Sequence, residues 1–208
     1  MAVDPLAILF GSPARVKLLR FFLFNPSKEF SFDEISRRAR LVRRTARTEI
    51  DALLKAGVIK KKVFFEQLPG AEKKTRVHGF TLDKSFPELQ ALQTFLFETA
   101  PLDGKNVVKQ LRKAGTLDVL VSAGVFVRNF EQRLDLLIAM KKLDEKKIEA
   151  AIRGLESEIG IEIRYAALTT EDLLYRVGMH DRLTRDVFDY PHELLVDRVD
   201  IRDELHRP

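Results

Sequence analysis

Residues 30–62 read FSFDEISRRARLVRRTARTEIDALLKAGVIKKK. Ser31-Phe32-Asp33-Glu34 has the form of a capping box. In that arrangement the Ser hydroxyl and the Glu carboxylate each satisfy an orphan backbone N–H at the start of a helix. The spacing predicts a short helix from there to about Ala39 that buries Ile35, a tight turn at Arg40-Leu41, and a second helix from about Arg43 to Ala56. Ala46, Ile50, Leu53 and Leu54 recur at helical spacing, and Gly57 is a natural C-cap. Arg37, Arg38, Arg40, Arg43, Arg44 and Arg47 crowd the same stretch. If the apolar stripe faces a core, Arg43, Arg44, Arg47 and Thr48 project near the N-terminus of the second helix.

Upstream, Ser12-Pro13 supplies an N-cap with proline at the first helical position, and Val16, Leu19, Phe22 and Leu23 form an apolar stripe that ends at Asn25-Pro26. Downstream, Val58 to Leu68 reads as a strand, Pro69-Gly70 as a turn and Thr75 to Leu82 as a returning strand. Lys60, Lys61, Lys62, Lys73, Lys74 and Arg76 flank that hairpin. Arginine suits a groove-facing helix because its planar fork binds phosphate, or the O6/N7 edge of guanine, with two hydrogen bonds. The alternative is a solvated basic face steadied by pairs such as Arg47–Asp51 at helical spacing.

Three helices followed by a basic hairpin resemble the winged helix-turn-helix of bacterial transcriptional regulators. Leu53-Leu54-Lys55-Ala56-Gly57-Val58-Ile59 is similar to the end of their recognition helix and the start of their wing. The resemblance implies that Arg43, Arg44, Thr45, Arg47 and Thr48 contact bases or phosphates of double-stranded DNA. It places Lys60 to Lys62 and Lys73, Lys74 and Arg76 in the wing. A single winged helix reads a short site, so a homodimer is expected, with the helix around Phe95, Leu96 and Phe97 as its interface.

The whole-chain charge of +5 hides an asymmetry. Residues 1–80 hold 17 basic and 8 acidic side chains, and residues 81–208 hold 19 and 23. One half is built to meet a polyanion and the other is not. The chain has no cysteine, which excludes disulfides, thiolate nucleophiles and zinc-thiolate sites. Met1 to Phe10 carries Asp4 and Pro5 and lacks the basic start and apolar run of a secretory leader, and no apolar stretch is long enough to span a bilayer. The expected setting is the cytoplasm, with no membrane contact. His78, His180, His192 and His206 are scattered without ligand spacing.

The predicted organisation is α+β: a winged helix over 1–84, a connecting helix and linker over 85–103, and a small α/β domain with a mixed sheet over 104–208. Leu134 to Ile138, Glu158 to Tyr165 and Thr169 to Arg176 resemble the nucleotidyltransferase-like domain attached to some such regulators. In active members a Gly-Ser turn holds nucleotide phosphates and an Asp-x-Asp pair holds magnesium. Here Gly124 is followed by Val125, and Arg133 stands where the first carboxylate belongs, leaving Asp135 and, as a third group, Glu162. Glu131, Arg133 and Asp135 are expected on one strand face, with the guanidinium opposing a cation. The expectation is a remnant nucleotide site without catalytic residues, metal or cofactor. The domain would then serve dimerisation, sensing of a small-molecule or nucleotide effector, or partner docking. Tyr165, Arg176, His180, Asp181 and Arg182 are candidates for lining an effector pocket. The alternatives are an active nucleotidyltransferase guided to nucleic acid, and an antitoxin-like protein-binding module.

Overall fold

The chain is a mixed α+β fold with two sheets, described by a computed structural model over residues 5–67 and 73–205. The expected turn at Pro69-Gly70 and His206 lie outside the described residues. Two compact units divide the chain: Met1–Ala100 with Glu156–Ile161, and Pro101–Leu155 with Glu162–Pro208.

In the first unit, α1 (Pro5–Leu9) precedes α2 (Pro13–Leu23), whose start is capped as its sequence suggests: the Ser12 hydroxyl accepts from the Arg15 amide at 3.4 Å. Then come β1 (Glu29–Ser31), α3 (Phe32–Arg38), α4 (Arg43–Lys55), β2 (Ile59–Glu66), β3 (Thr75–Leu82) and α5 (Leu89–Glu98). The strand β1 was not visible in the sequence, since three residues carry no periodicity. It pairs antiparallel with β3, which pairs with β2, giving the order β1-β3-β2. Only half of the capping box forms. Ser31 Oγ accepts from the Glu34 amide (3.2 Å), while the Glu34 carboxylate turns to Arg38 (3.4 Å).

The core of this unit gathers Leu18, Phe22, Phe30, Ile35, Ile50, Ile59, Leu82 and Leu96. Its aromatic centre is Phe21, Phe22 and Phe30, with the Phe21 and Phe30 ring centroids 4.5 Å apart. Leu96 is fully buried there and Phe97 packs edge-on against Phe24 at 5.9 Å. Of the three residues expected to form a dimer interface, Phe95 alone is left as a large exposed side chain.

The second unit holds α6 (Gly104–Leu111), β4 (Val119–Ser122), a 3-10 turn (Gly124–Val127), β5 (Leu136–Met140), α7 (Glu145–Ile159, entering the first unit's share of the chain at Glu156), β6 (Tyr165–Thr169), α8 (Thr170–Gly178), α9 (Arg182–Phe188), β7 (Glu193–Asp197) and α10 (Ile201–Leu205). Its sheet has the order β6-β5-β4-β7 and is mixed: β5 and β6 run parallel and the other pairs antiparallel. Both central strands are buried along their whole length, which explains why LLIAM and VLVS read as continuous apolar runs rather than alternations. Val121, Leu137 and Ala139 share a core with Leu173 of α8, Val187 of α9 and Ile201 of α10.

At Gly79 the glycine is required by close backbone approach. A Cβ there would stand 2.1 Å from the Phe30 carbonyl oxygen and 2.8 Å from the Phe64 ring. Gly79→Ala should therefore cost about 3 kcal/mol by overpacking. Gly178→Ala, whose Cβ meets nothing within 4 Å, should leave the melting temperature near wild type. Thermal melts of the two variants followed by circular dichroism test this, and equal melts would refute it.

Candidate functional site

The turn between α3 and α4 is locked twice. The Leu41 amide donates to Ser36 O (3.0 Å), and the Ser36 hydroxyl donates to Leu41 O (2.7 Å). Arg40 takes φ +52° to make the corner. The next helix, α4, buries Ala46, Glu49, Ile50 and Leu53; Glu49 is neutralised by Arg15 at 2.8 Å. That burial turns Arg43, Arg44, Arg47 and Thr48 to solvent, while Thr45 is half-buried. The N-cap residue is Val42, and no side chain caps the first turn. The uncapped amides of that turn and its two arginines offer donors and positive charge at one place.

The clustered arginines have different surroundings. Arg38 is half-buried, pairs with Glu34, and lies over the rings of Phe21 (5.1 Å) and Phe30 (5.4 Å), so it belongs to the core's edge. Arg43 and Arg47 both sit over Phe32, at 5.1 and 5.2 Å, and Arg43 also pairs with Asp33. The expected alternative pair, Arg47–Asp51, is not formed, and among the described residues no carboxylate pairs with Arg44 or Arg47. Thr48 Oγ1 donates to the Arg44 carbonyl at 3.2 Å. Phe32 as the platform for two arginines went unnoticed in the sequence; the signal was an aromatic at the first position of α3.

On the hairpin, Lys61, Val63 and Phe65 share one face with Phe80, His78 and Arg76 across from them. Lys60 is tied to Asp83 at 3.0 Å and Lys62 to Glu29 at 3.8 Å. Hydrogen bonds from the Ser85 hydroxyl and amide, joined by Lys60, hold the Asp83 carboxyl down at about 2. Lys61, Lys73, Lys74 and Arg76 are exposed and have no carboxylate partner among the described residues.

In the second unit the remnant-site residues do not form the expected strand face. Residues 131–135 are turn and bend, and β5 begins only at Leu136. There the Asp135 and Leu136 amides both donate to the Arg164 carbonyl, at 2.7 and 3.2 Å, and the paired register of β5 with β6 starts at Leu136. Arg133 is exposed and reaches Asp186 at 3.5 Å rather than Asp135. The guanidinium that occupies Asp135 is that of Arg164. Its Nη2 donates to Oδ1 (2.9 Å) and its Nε to Oδ2 (3.0 Å); the Arg164 amide adds 2.8 Å to Oδ2 and the Val125 amide 2.9 Å to Oδ1. Hydrogen bonding to Asp135 raises the Arg164 guanidinium above its ordinary value. Nothing in the spacing of Arg164 marks Asp135 as its partner, 29 residues away.

Asp135 is 1% exposed, and both its oxygens are taken. Gly124, at φ +51°, passes so close that a Cβ would stand 2.0 Å from Asp135 Oδ1. Glu162 is exposed and precedes β6. Among the described residues no group of three or more His, Asp or Glu could hold a metal ion. Arg133, Arg182, Asp186 and Tyr190 line a cavity of about 320 Å³ beside this knot. Of the other pocket candidates, Arg176 pairs with Asp181 at 3.1 Å, and His180 lines a separate hollow of about 260 Å³. Among the described residues no helix is long and apolar enough to cross a membrane. Comparison with protein-family models, curated proteins and solved structures returned no match.

Breaking one partner of a buried ion pair strands the other, so Asp135→Asn should cost about 3 kcal/mol. Arg133→Ala, at an exposed pair, should cost under about 0.5 kcal/mol. Urea denaturation of both variants decides which arginine matters; a larger loss for Arg133→Ala would reverse the assignment.

Proposed function

We propose that this chain is a DNA-binding transcriptional regulator: a winged helix-turn-helix joined to a catalytically degenerate nucleotidyltransferase-like domain. The observation that carries the reading is the start of α4. An uncapped helix N-terminus there carries exposed Arg43, Arg44 and Arg47 and is positioned by a doubly hydrogen-bonded turn. A recognition helix enters the major groove by that end. The neighbouring hairpin, with Lys61, Lys73, Lys74 and Arg76, supplies the wing and its phosphate contacts. Arg43 exchanges Asp33 for phosphate on binding, whereas Arg44 is poised without a competitor.

The second domain transfers no nucleotide in this reading, because Asp135 has no oxygen left for a cation: Arg164 and two backbone amides use them all. The cavity lined by Arg133 and Arg182, together with Glu131 and Asp186, is the candidate effector site instead. The regulator acts as a homodimer. The surface proposed for its contact is Phe95 with the exposed Ile8 and Leu9, which precede Phe10, whose ring centroid lies 6.5 Å from that of Phe95.

Two experiments test this. Fragments selected from random duplex DNA by the purified protein should share a site, and log affinity for it should fall with log salt at a slope near −0.9 per phosphate contact. Arg43→Ala, Arg44→Ala and Arg47→Ala together should reduce affinity by at least about 100-fold with the melting temperature unchanged, since each arginine–base pair is worth ~1–3 kcal/mol. Wild-type affinity in that variant would reject α4 as the recognition helix. For the dimer, light scattering should return twice the chain mass for wild type and the chain mass for Phe95→Glu; a wild-type monomer with and without DNA would reject it.

A further inference from the structure

The four-stranded sheet has two ends, and the Gly124–Asp135–Arg164 knot uses only one. At the other end four strand termini meet: Asp118 precedes β4, Lys141 and Lys142 follow β5, Thr170 follows β6 and Arg198 follows β7. The ladders are continued there by backbone hydrogen bonds of 2.9 Å, from the Asp118 amide to Ala139 O and from the Arg198 amide to Asp118 O. The ends of β4, β5 and β7 line an open cavity of about 740 Å³, in the size range of small-molecule sites.

Lys141, Lys142, Lys147 and Arg198 line it, with Asp118 and Asp144. Asp144 is answered by Lys147 at 3.0 Å, and that lysine's hydrogen bonds hold the Asp144 carboxyl below its ordinary value. Lys141, Lys142 and Arg198 have no carboxylate partner among the described residues. Three uncompensated cations thus converge in a half of the chain that is acidic on balance. Their mutual repulsion is relieved by an anion.

Asp118 gives the cavity a second requirement. It is 4% exposed, and its Oδ2 accepts the Thr170 hydroxyl at 2.6 Å. Among the described residues no donor reaches its Oδ1. Asp118 lines the cavity, and a carboxylate oxygen there repels a bare anion but accepts a hydrogen bond from a donor. A ligand that satisfies both features carries an anionic group and an O–H or N–H donor on one small framework.

We propose that this end of the sheet binds a small phosphorylated metabolite bearing hydroxyl or amino groups. Its phosphate lies against Lys141, Lys142 and Arg198, and a donor of the ligand meets Asp118 Oδ1. The site is separate from the DNA-binding reading and stands or falls without it.

Isothermal titration of the full chain with ribose 5-phosphate and with inorganic phosphate tests the proposal. Ribose 5-phosphate should bind saturably and at least about tenfold more tightly than inorganic phosphate. Lys141→Glu with Lys142→Glu should weaken it by at least about tenfold while leaving the melting temperature and DNA affinity unchanged. Asp118→Asn should bring the two probes to similar affinity. If that variant does not fold, the wild-type preference between the probes remains the readout for the donor contact. Absence of saturable binding by ribose 5-phosphate, equal affinity for both probes in the wild type, or indifference to the lysine reversals would overturn the proposal. So would a loss of DNA affinity in the lysine variant without sugar-phosphate binding, which would make the cluster a nucleic-acid contact.

Discussion

The buried carboxylate of Asp135 is the fixed point of the second unit. Four hydrogen bonds converge on it, two from the Arg164 guanidinium and one each from the Arg164 and Val125 amides. A carboxylate at 1% exposure is tolerable only when its charge is matched and its lone pairs are filled, and this one satisfies both conditions. Its consequences spread along three strands. The turn at Gly124 approaches it so closely that no side chain fits there, it stands just before β5, and it is bonded to the segment that leads into β6. The same interaction leaves neither oxygen of Asp135 without a hydrogen-bond donor.

The first unit makes a parallel point with arginine. Arg38, Arg43 and Arg44 stand within a few residues of one another and share a charge, yet their surroundings separate them. Arg38 is consumed by Glu34 and two phenylalanine rings. Arg43 is shared between Asp33 and Phe32. Arg44, beside an uncapped helix start, has no carboxylate partner among the described residues. Guanidinium groups are weakly hydrated and stack on aromatic faces, which is why aromatic rings so close to the cluster sort it. Positive charge within a sequence window is therefore a poor count of the charge presented to a ligand.

The two ends of the second sheet show opposite electrostatic economies. At one end a carboxylate and a guanidinium cancel each other inside the protein. At the other, three cations without a carboxylate partner among the described residues line a cavity with Asp118, whose Oδ2 accepts from Thr170. The same antiparallel and parallel ladders build both, because strand ends are where backbone direction, and hence side-chain company, changes.

Much was legible in the sequence by itself. Helical spacing and caps located α2, α3 and α4, and strand and turn residues located the hairpin strands within two residues of their observed bounds. These signals are local: a capping hydroxyl and its amide are three residues apart, and an apolar stripe repeats within one helix. The sequence also determined the charge asymmetry and the absence of thiol chemistry, which are properties of composition. Tertiary structure alone decided which arginine faces Asp135, since Arg164 lies 29 residues away and spacing carries no information over that distance. It likewise decided that Leu96 belongs to a core rather than to a partner, that Phe32 carries Arg43 and Arg47, and that Asp118, Lys141 and Arg198 share one sheet end. Each of those outcomes depends on strand register and helix rotation, which are set by packing the whole unit at once and are not encoded in any single window of residues.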